Sequence, residues 1–184
     1  MKGILNMTTS PELTLIELVR YDNWMNQQLL TICMDVDERL LSAEIPGTYG
    51  SIRKTFSHLI NSQAEFLERI HGTSPQPDFK WADKPTFAQM AEYADTLNEA
   101  FLDTIQNVPP TANVHEENET WSFDYHARLI FMAQIYHGIA HRTDITTFLT
   151  RHGVELPELD VWGYQEAYPD RFDARLVKIS DHLK

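Results

Sequence analysis

Hydrophobic side chains recur every three or four residues along four long stretches of the chain, which is the spacing of one face of an α-helix. The first stretch starts at Ser10-Pro11, a capping hydroxyl followed by proline at the first helical position. Gly72 is a typical residue after a helix end, and Thr86 with Gln89 forms a capping box. The pattern predicts helices over residues 11–35, 51–71, 86–107 and 126–152.

Four helices of about 20 residues, joined by connections of about 12 to 20 residues, predict an all-α fold, a four-helix bundle with long loops. Trp121, Phe123 and Tyr125 alternate as in a short strand ahead of the fourth helix. The segment after Gly153 has room for one short helix, so the bundle is expected to end in a short C-terminal helical tail. No internal repeat is visible, and we expect residues 1–184 to form one domain.

Charge and composition exclude several classes of function. The net charge of −12 repels phosphate backbones, so nucleic acid is not an expected partner. No apolar run reaches the roughly 20 residues of a membrane span, and no signal peptide is evident, so we expect a cytoplasmic protein that does not bind membranes. The sequence contains neither a Gly-rich phosphate loop nor a G-x-S-x-G elbow. Cys33 is the only cysteine, and its apolar context predicts a helix interior.

Two histidines stand in the fourth predicted helix, which is apolar around most of its circumference because residues 129–132 read Leu-Ile-Phe-Met. Such a helix is expected to be buried rather than amphipathic. His137 and His141 occupy one stripe, where leucine would be expected, with Cβ atoms about 6 Å apart. Two imidazoles at that separation can bind one metal ion. They can equally be core histidines that each have a hydrogen-bond partner.

A tight site needs a third ligand from another helix. His126 and His152 are each 11 residues from the nearer histidine of the pair, about 16 Å along the helix, which is too far. The candidates that remain are His58 and Glu65 on the second helix and Asp124 before the fourth. Spacing alone does not choose among these three.

Three long segments resemble those of one protein family. LIELVRYDNWMNQQLL (residues 15–30) is similar to the family's opening helix, and GSIRKTFSHLINSQAEFLERIHG (residues 50–72) to its second helix. IYHGIAHRTDI (residues 135–145) is similar to its H-x-x-x-H segment. The chain thus resembles the DinB-like (YfiT-like) family of metal-dependent four-helix bundles. Arg142-Thr143-Asp144 stands where family members often have Arg-Gly-Gln.

The resemblance implies that His58, His137 and His141 bind one divalent ion, for which Zn²⁺, Ni²⁺ and Fe²⁺ are all suitable. Three protein ligands leave a position open, as in catalytic metal sites. Such an ion can activate a thiol or a water molecule. The predicted function is therefore a metal-dependent enzyme that acts on a small molecule, either a hydrolase or a thiol S-transferase with a low-molecular-weight thiol as co-substrate. The alternative is a non-catalytic metal-binding or stress-related bundle with a structural or sensing role.

Two polar residues beyond the last histidine are candidates for the surroundings of the ion. Asp144, one turn beyond His141, either orients that ring or pairs locally with Arg142 or Arg151. Arg142 either contacts an anionic substrate or lies on the surface.

Further residues are candidates for the pocket. Tyr21 and Trp24 on the first helix either line it or pack in the core. Glu65 and Asp144 are possible general bases if the protein is a hydrolase. A homodimer is also expected, both from the resemblance and because the fourth helix is too apolar for one side of it to be exposed.

Overall fold

The protein is a helical bundle with one small hairpin, and the prediction of an all-α bundle is confirmed. A computed structural model describes residues 11–76, 79 and 84–173. The elements in chain order are helices α1 (Pro11–Met34), α2 (Glu38–Leu41), α3 (Ile52–His71) and α4 (Phe87–Asn107), strands β1 (Asn113–Glu117) and β2 (Ser122–His126), helices α5 (Arg128–Arg151) and α6 (Val161–Ala167), and a 3₁₀ helix (Pro169–Phe172).

The helix ends follow the capping residues in the sequence. Ser51 caps α3, because its side chain accepts a hydrogen bond from the Lys54 amide. Gly72 ends α3 in the left-handed conformation at φ 78°. The capping box of Thr86 and Gln89 is present at the start of α4. The predicted cap at Ser10 lies outside the described residues.

The four long helices enclose a single apolar core. Helix α1 packs against α4 and α5, and α3 also packs against α4 and α5. Large side chains from all four helices are fully buried there: Leu29, Leu30, Phe56, Ile60, Leu97, Phe101 and Phe131. Removing this much apolar surface from water is the main favourable term in folding. The packing brings one face of α3 against one face of α5, the two helices that carry the candidate ligands.

The sequence pattern missed two elements. Asp37 caps helix α2, because its side chain accepts a hydrogen bond from the Arg39 amide, but the four residues of this helix are too few to show helical periodicity. The predicted strand around Phe123 is one arm of an antiparallel hairpin, in which Val114 pairs with Tyr125. The partner strand β1 reads Asn-Val-His-Glu-Glu, and its polar composition concealed it.

The prediction that the fourth helix is buried was wrong. Helix α5 buries one face against the core, but an apolar stripe on another face is exposed: Leu129, Met132, Tyr136 and Ile139 are 48%, 68%, 77% and 48% exposed. These positions follow the helical repeat, so they form one continuous surface. Because α5 has apolar residues on both faces, the sequence pattern does not distinguish its buried face from its exposed face. Among the described residues, no helix is both long and apolar enough to cross a membrane.

Candidate metal centre

Three histidines from two helices meet beside the α3–α5 contact. One ring nitrogen from each of His58, His137 and His141 lies within 4.8 Å of the others. The Nε2 atoms of His58 and His137 are 2.9 Å apart. The ring centroids of His58 and His137, His58 and His141, and His137 and His141 are separated by 4.8, 5.0 and 4.5 Å.

The local folding of each helix explains why these rings converge. His137 and His141 are one turn apart, so both project from the same side of α5. His58 lies on α3 at the edge of the buried face, next to buried Leu59 and one turn from buried Ser62. The stripe of α3 that contains His58 is polar because this part of the helix surface borders the core and does not face its centre. All three imidazoles are consequently half-buried.

The arrangement fits a metal ion. Two nitrogens that bind one ion at about 2.1 Å lie about 3.0–3.4 Å apart when the ligand angle is between about 90° and 109°. The 2.9 Å separation between His58 and His137 is close to this range. Nδ1 of His141 is buried, and among the described residues it has no hydrogen-bond partner.

The electrostatics of the three rings favour ligation. Burial lowers the pKa of His58 and of His141 below the usual value for histidine. The pKa of His137 is lowered to about 4, first by burial and then by the neighbouring His141, His58 and Arg142. These imidazoles are therefore neutral at pH 7, with a lone pair available for a metal ion.

The two alternative third ligands, Asp124 and Glu65, do not join the cluster of ring nitrogens. The Asp124 carboxylate is on the hairpin, 3.0 Å from Nδ1 of His115 and 3.0 Å from the Asn113 amide nitrogen. Glu65 is exposed on α3, where it accepts a hydrogen bond of 2.6 Å from Asn61. Of the three candidates that spacing left open, His58 is the one that the fold brings into the cluster with the α5 histidines.

Asp144 lies near His141, the ring that it was predicted to orient, but without a hydrogen bond to it. Its Oδ2 atom is 4.0 Å from Nδ1 of His141, which is too long for a hydrogen bond. Its negative charge opposes the lowering of the His141 pKa. The predicted alternative, an ion pair of Asp144 with Arg142 or Arg151, is not found among the described residues. The guanidinium of Arg142 instead contacts Asp22 and Asn26 of α1.

Arg142 occupies neither of its two predicted settings. It is 2% exposed, and it forms an ion pair with Asp22 and a 3.0 Å hydrogen bond to Asn26. Gln134 donates to the other Asp22 oxygen at 2.9 Å. Arg142 therefore holds α5 to α1 behind the histidines and does not reach a substrate. We call Asp22, Asn26, Gln134 and Arg142 the buried polar network.

Tyr21 and Trp24 belong to the core and not to the pocket. Both rings pack against Tyr164 of α6, with centroid distances of 5.8 and 5.5 Å. The Tyr21 hydroxyl donates to the Leu159 carbonyl oxygen at 3.2 Å. The helix pattern showed two aromatic residues on α1, but it could not show that the C-terminal tail covers them.

A cavity of about 940 Å³ opens beside His58. Its lining also includes Tyr49, Arg53, Ser57, Asn61 and Glu65. Glu65 was predicted to belong to the pocket and does line it. Tyr49 was not predicted, because it lies in a loop where no periodic pattern draws attention to a side chain. Its ring stacks on His58, with a centroid distance of 3.8 Å and an interplanar angle of 10°.

Comparison with known protein families identifies the family of the chain. The sequence profile of the DinB family matches residues 7–171. A comparison with curated proteins finds no match. The profile covers most of the chain, so the protein belongs to the DinB family, and the resemblance seen in the sequence is confirmed.

Proposed function

We propose that this member of the DinB family is a metal-dependent enzyme in which His58, His137 and His141 hold a divalent ion at the wall of the substrate cavity. The convergence of three half-buried histidines, of which His58 lines a cavity of about 940 Å³, is the observation that carries the proposal. A cavity of that volume suits a small molecule. A histidine cluster next to such a cavity is the usual setting of a catalytic ion rather than a structural one.

The chain itself offers no reactive thiol, so the thiol of a transfer reaction has to come from outside it. Cys33 is the only cysteine, it is 1% exposed, and burial raises the pKa of its thiol to about 12. It is therefore protonated and inaccessible at pH 7. When bound, the ion supplies Lewis acidity, which favours the deprotonated form of a thiol or a water molecule. The protein's own contribution is to hold the three imidazoles in place and to shape the cavity.

We favour a thiol S-transferase, with a low-molecular-weight thiol as co-substrate. A thiol ionises far more readily than water and needs no base from the protein. Hydrolysis would need a general base, for which Glu65 on the cavity wall is the best placed. One oxygen of the Glu65 carboxylate is already engaged, because it accepts a 2.6 Å hydrogen bond from the Asn61 side-chain amide.

Turnover of metal-loaded protein should require a thiol. Reactive electrophiles are offered with and without glutathione, bacillithiol or mycothiol, and product is followed by mass spectrometry. The Glu65→Gln variant should keep most of this activity, because no general base is needed, whereas His141→Ala should lose it. Turnover in buffer alone that disappears in Glu65→Gln would favour hydrolysis. No turnover across a broad panel, with the ion shown to be bound, would favour a structural or sensing bundle.

The exposed stripe of α5 is proposed as a homodimer interface. Leu129, Met132, Tyr136 and Ile139 form an apolar surface of the kind that symmetric helix pairs bury. We expect light scattering to give about twice the monomer mass of 21.3 kDa. Met132→Glu should shift the protein towards the monomer. Gln106→Glu, which adds the same charge at an exposed position of α4, should leave the mass unchanged. A wild-type mass that stays near 21.3 kDa at all concentrations would refute the dimer.

A further inference from the structure

No hydrogen bond to another described residue fixes His58 in the way that is usual for a metal-binding imidazole. Such rings normally donate their second N–H to a carboxylate, a carbonyl or a water molecule, which sets the ring orientation. The Nε2 atom of His58 faces His137. Among the described residues, no hydrogen bond reaches its Nδ1. A contact to the face of the ring can also hold the ring plane.

Tyr49 is placed to do this. Its ring lies parallel to His58 within 10°, at a centroid distance of 3.8 Å, so the two rings are in stacking contact. It also meets His141 edge to face at 5.8 Å. Stacked and edge-to-face contacts are the favourable arrangements for aromatic rings. Tyr49 is nevertheless 53% exposed and lines the cavity, so burying its own surface does not explain its position.

The loop that carries Tyr49 is closed by its own hydrogen bonds. The Ile45 amide donates to the Gly50 carbonyl oxygen at 3.2 Å, and the Thr48 hydroxyl donates to the Ile45 carbonyl oxygen at 2.9 Å. Gly50 has φ 127°, a backbone conformation that residues other than glycine rarely adopt. Tyr49 is thus presented by a defined turn, directly ahead of the Ser51 cap of α3.

We propose that Tyr49 is the positioning residue of the ligand His58, holding its ring by stacking in the plane that ligation needs. The proposal rests on the proposed metal site. It assigns to an aromatic ring the task that a hydrogen-bond acceptor has at most histidine ligands. The hydroxyl of Tyr49 has no part in it, so phenylalanine should serve equally well.

The full-length protein and three variants test this by competition for Zn²⁺ and Co²⁺ with a chelator. Tyr49→Leu keeps an apolar side chain but removes the ring, and we expect metal affinity to fall by about 10- to 100-fold, as when other outer partners of a ligand are removed. Tyr49→Phe should stay within about threefold of wild type, because the stack is retained. Trp121→Leu, at an exposed aromatic residue next to β2, should have no effect.

Unchanged affinity in Tyr49→Leu would overturn the proposal, and so would a Tyr49→Phe variant as weak as Tyr49→Leu. The metal-free protein separates this outcome from a failure of the metal site itself. Its NMR spectrum should show His58 ring protons shifted upfield by the Tyr49 ring, with cross-relaxation between the two rings. Both signatures should be lost in Tyr49→Leu and kept in Tyr49→Phe. If wild type binds no metal, the proposed function fails. If metal-free wild type lacks the two NMR signatures, the stacking of Tyr49 on His58 is overturned, whether or not the protein binds metal.

Discussion

Replacing Gly138 by alanine should destabilise the protein by about 2–4 kcal/mol, although alanine is the better helix former. Gly138 lies inside α5 between the two histidines and against the buried polar network. A Cβ atom at this position would clash with Oδ1 of Asp22 and would lie 2.7 Å from Nη1 of Arg142. These atoms cannot simply rotate away, because both side chains are buried and are bonded to each other.

The magnitude follows from the ion pair. Breaking a buried pair costs about 3–5 kcal/mol, because the remaining charge is left without compensation. The gain in helix propensity from glycine to alanine is about 1 kcal/mol. Denaturant unfolding of the metal-free protein measures the difference. Thr147→Ala, an exposed alanine substitution on the same helix, should stay within about 0.5 kcal/mol of wild type.

A double-mutant cycle identifies the cause. Asp22→Asn leaves the buried guanidinium of Arg142 without its counter-charge and should be destabilising by itself. If Gly138→Ala acts by displacing the same ion pair, the double variant should lose less unfolding free energy than the two single variants lose in sum. Simple additivity, or a neutral Gly138→Ala, would mean that the space beside Gly138 is not needed by Asp22 and Arg142.

A divalent ion should raise the melting temperature of wild type but not that of His137→Ala. Binding to the folded state alone stabilises it by about 2.7 kcal/mol when the free ion is at 100 times its dissociation constant. For a chain of this size that corresponds to roughly 5–10 °C. Removing one of three ligands leaves two, which are too few for a tight site. A chelator should reverse the shift in wild type.

His126→Ala is the matched control for this measurement. His126 is exposed on β2, outside the cluster, so its variant should respond to the ion as wild type does. The account is contradicted if wild type shows no shift, or if His137→Ala shifts as much as wild type. An equal shift in His137→Ala would place the ion at some other site, such as the hairpin around His115 and Asp124.

Much of the fold could be predicted from residues that lie close together in the sequence. The capping signals at Gly72 and Thr86 depend on residues within a few positions of one another, and the structure has a helix end at each of them. His137 and His141 could be paired for the same reason, since helical spacing alone puts them on one face.

Features that join distant parts of the chain were beyond the reach of spacing. Asp22 and Arg142 are 120 positions apart, so nothing near either residue indicated that they would pair. His58 sits on a polar stripe that periodicity would assign to solvent, and only the family resemblance selected it over Glu65 and Asp124. Tyr49 lies in a turn, where a side chain's partner depends on how the helices pack.

The sequence also did not determine whether a given helix face points to the core, to the pocket or to solvent. Tyr21 and Trp24 could face a pocket or the core, and the choice is made by Tyr164, a residue of the C-terminal tail. Helix α5 has apolar residues on both sides, so the sequence showed that it packs but not which stripe remains exposed. The position of the cavity relative to α1 therefore required the structure.

The metal content of tag-free protein tests the central claim most directly. Protein is expressed in medium supplemented with zinc, nickel and iron, purified without chelators, and analysed by inductively coupled plasma mass spectrometry. Wild type should carry close to one divalent ion per chain, and His58→Ala, His137→Ala and His141→Ala should each carry almost none. Full occupancy in His58→Ala would show that another residue, with Glu65 the first to replace, completes the site. Metal-free wild type that also takes up no ion on dialysis would contradict the account.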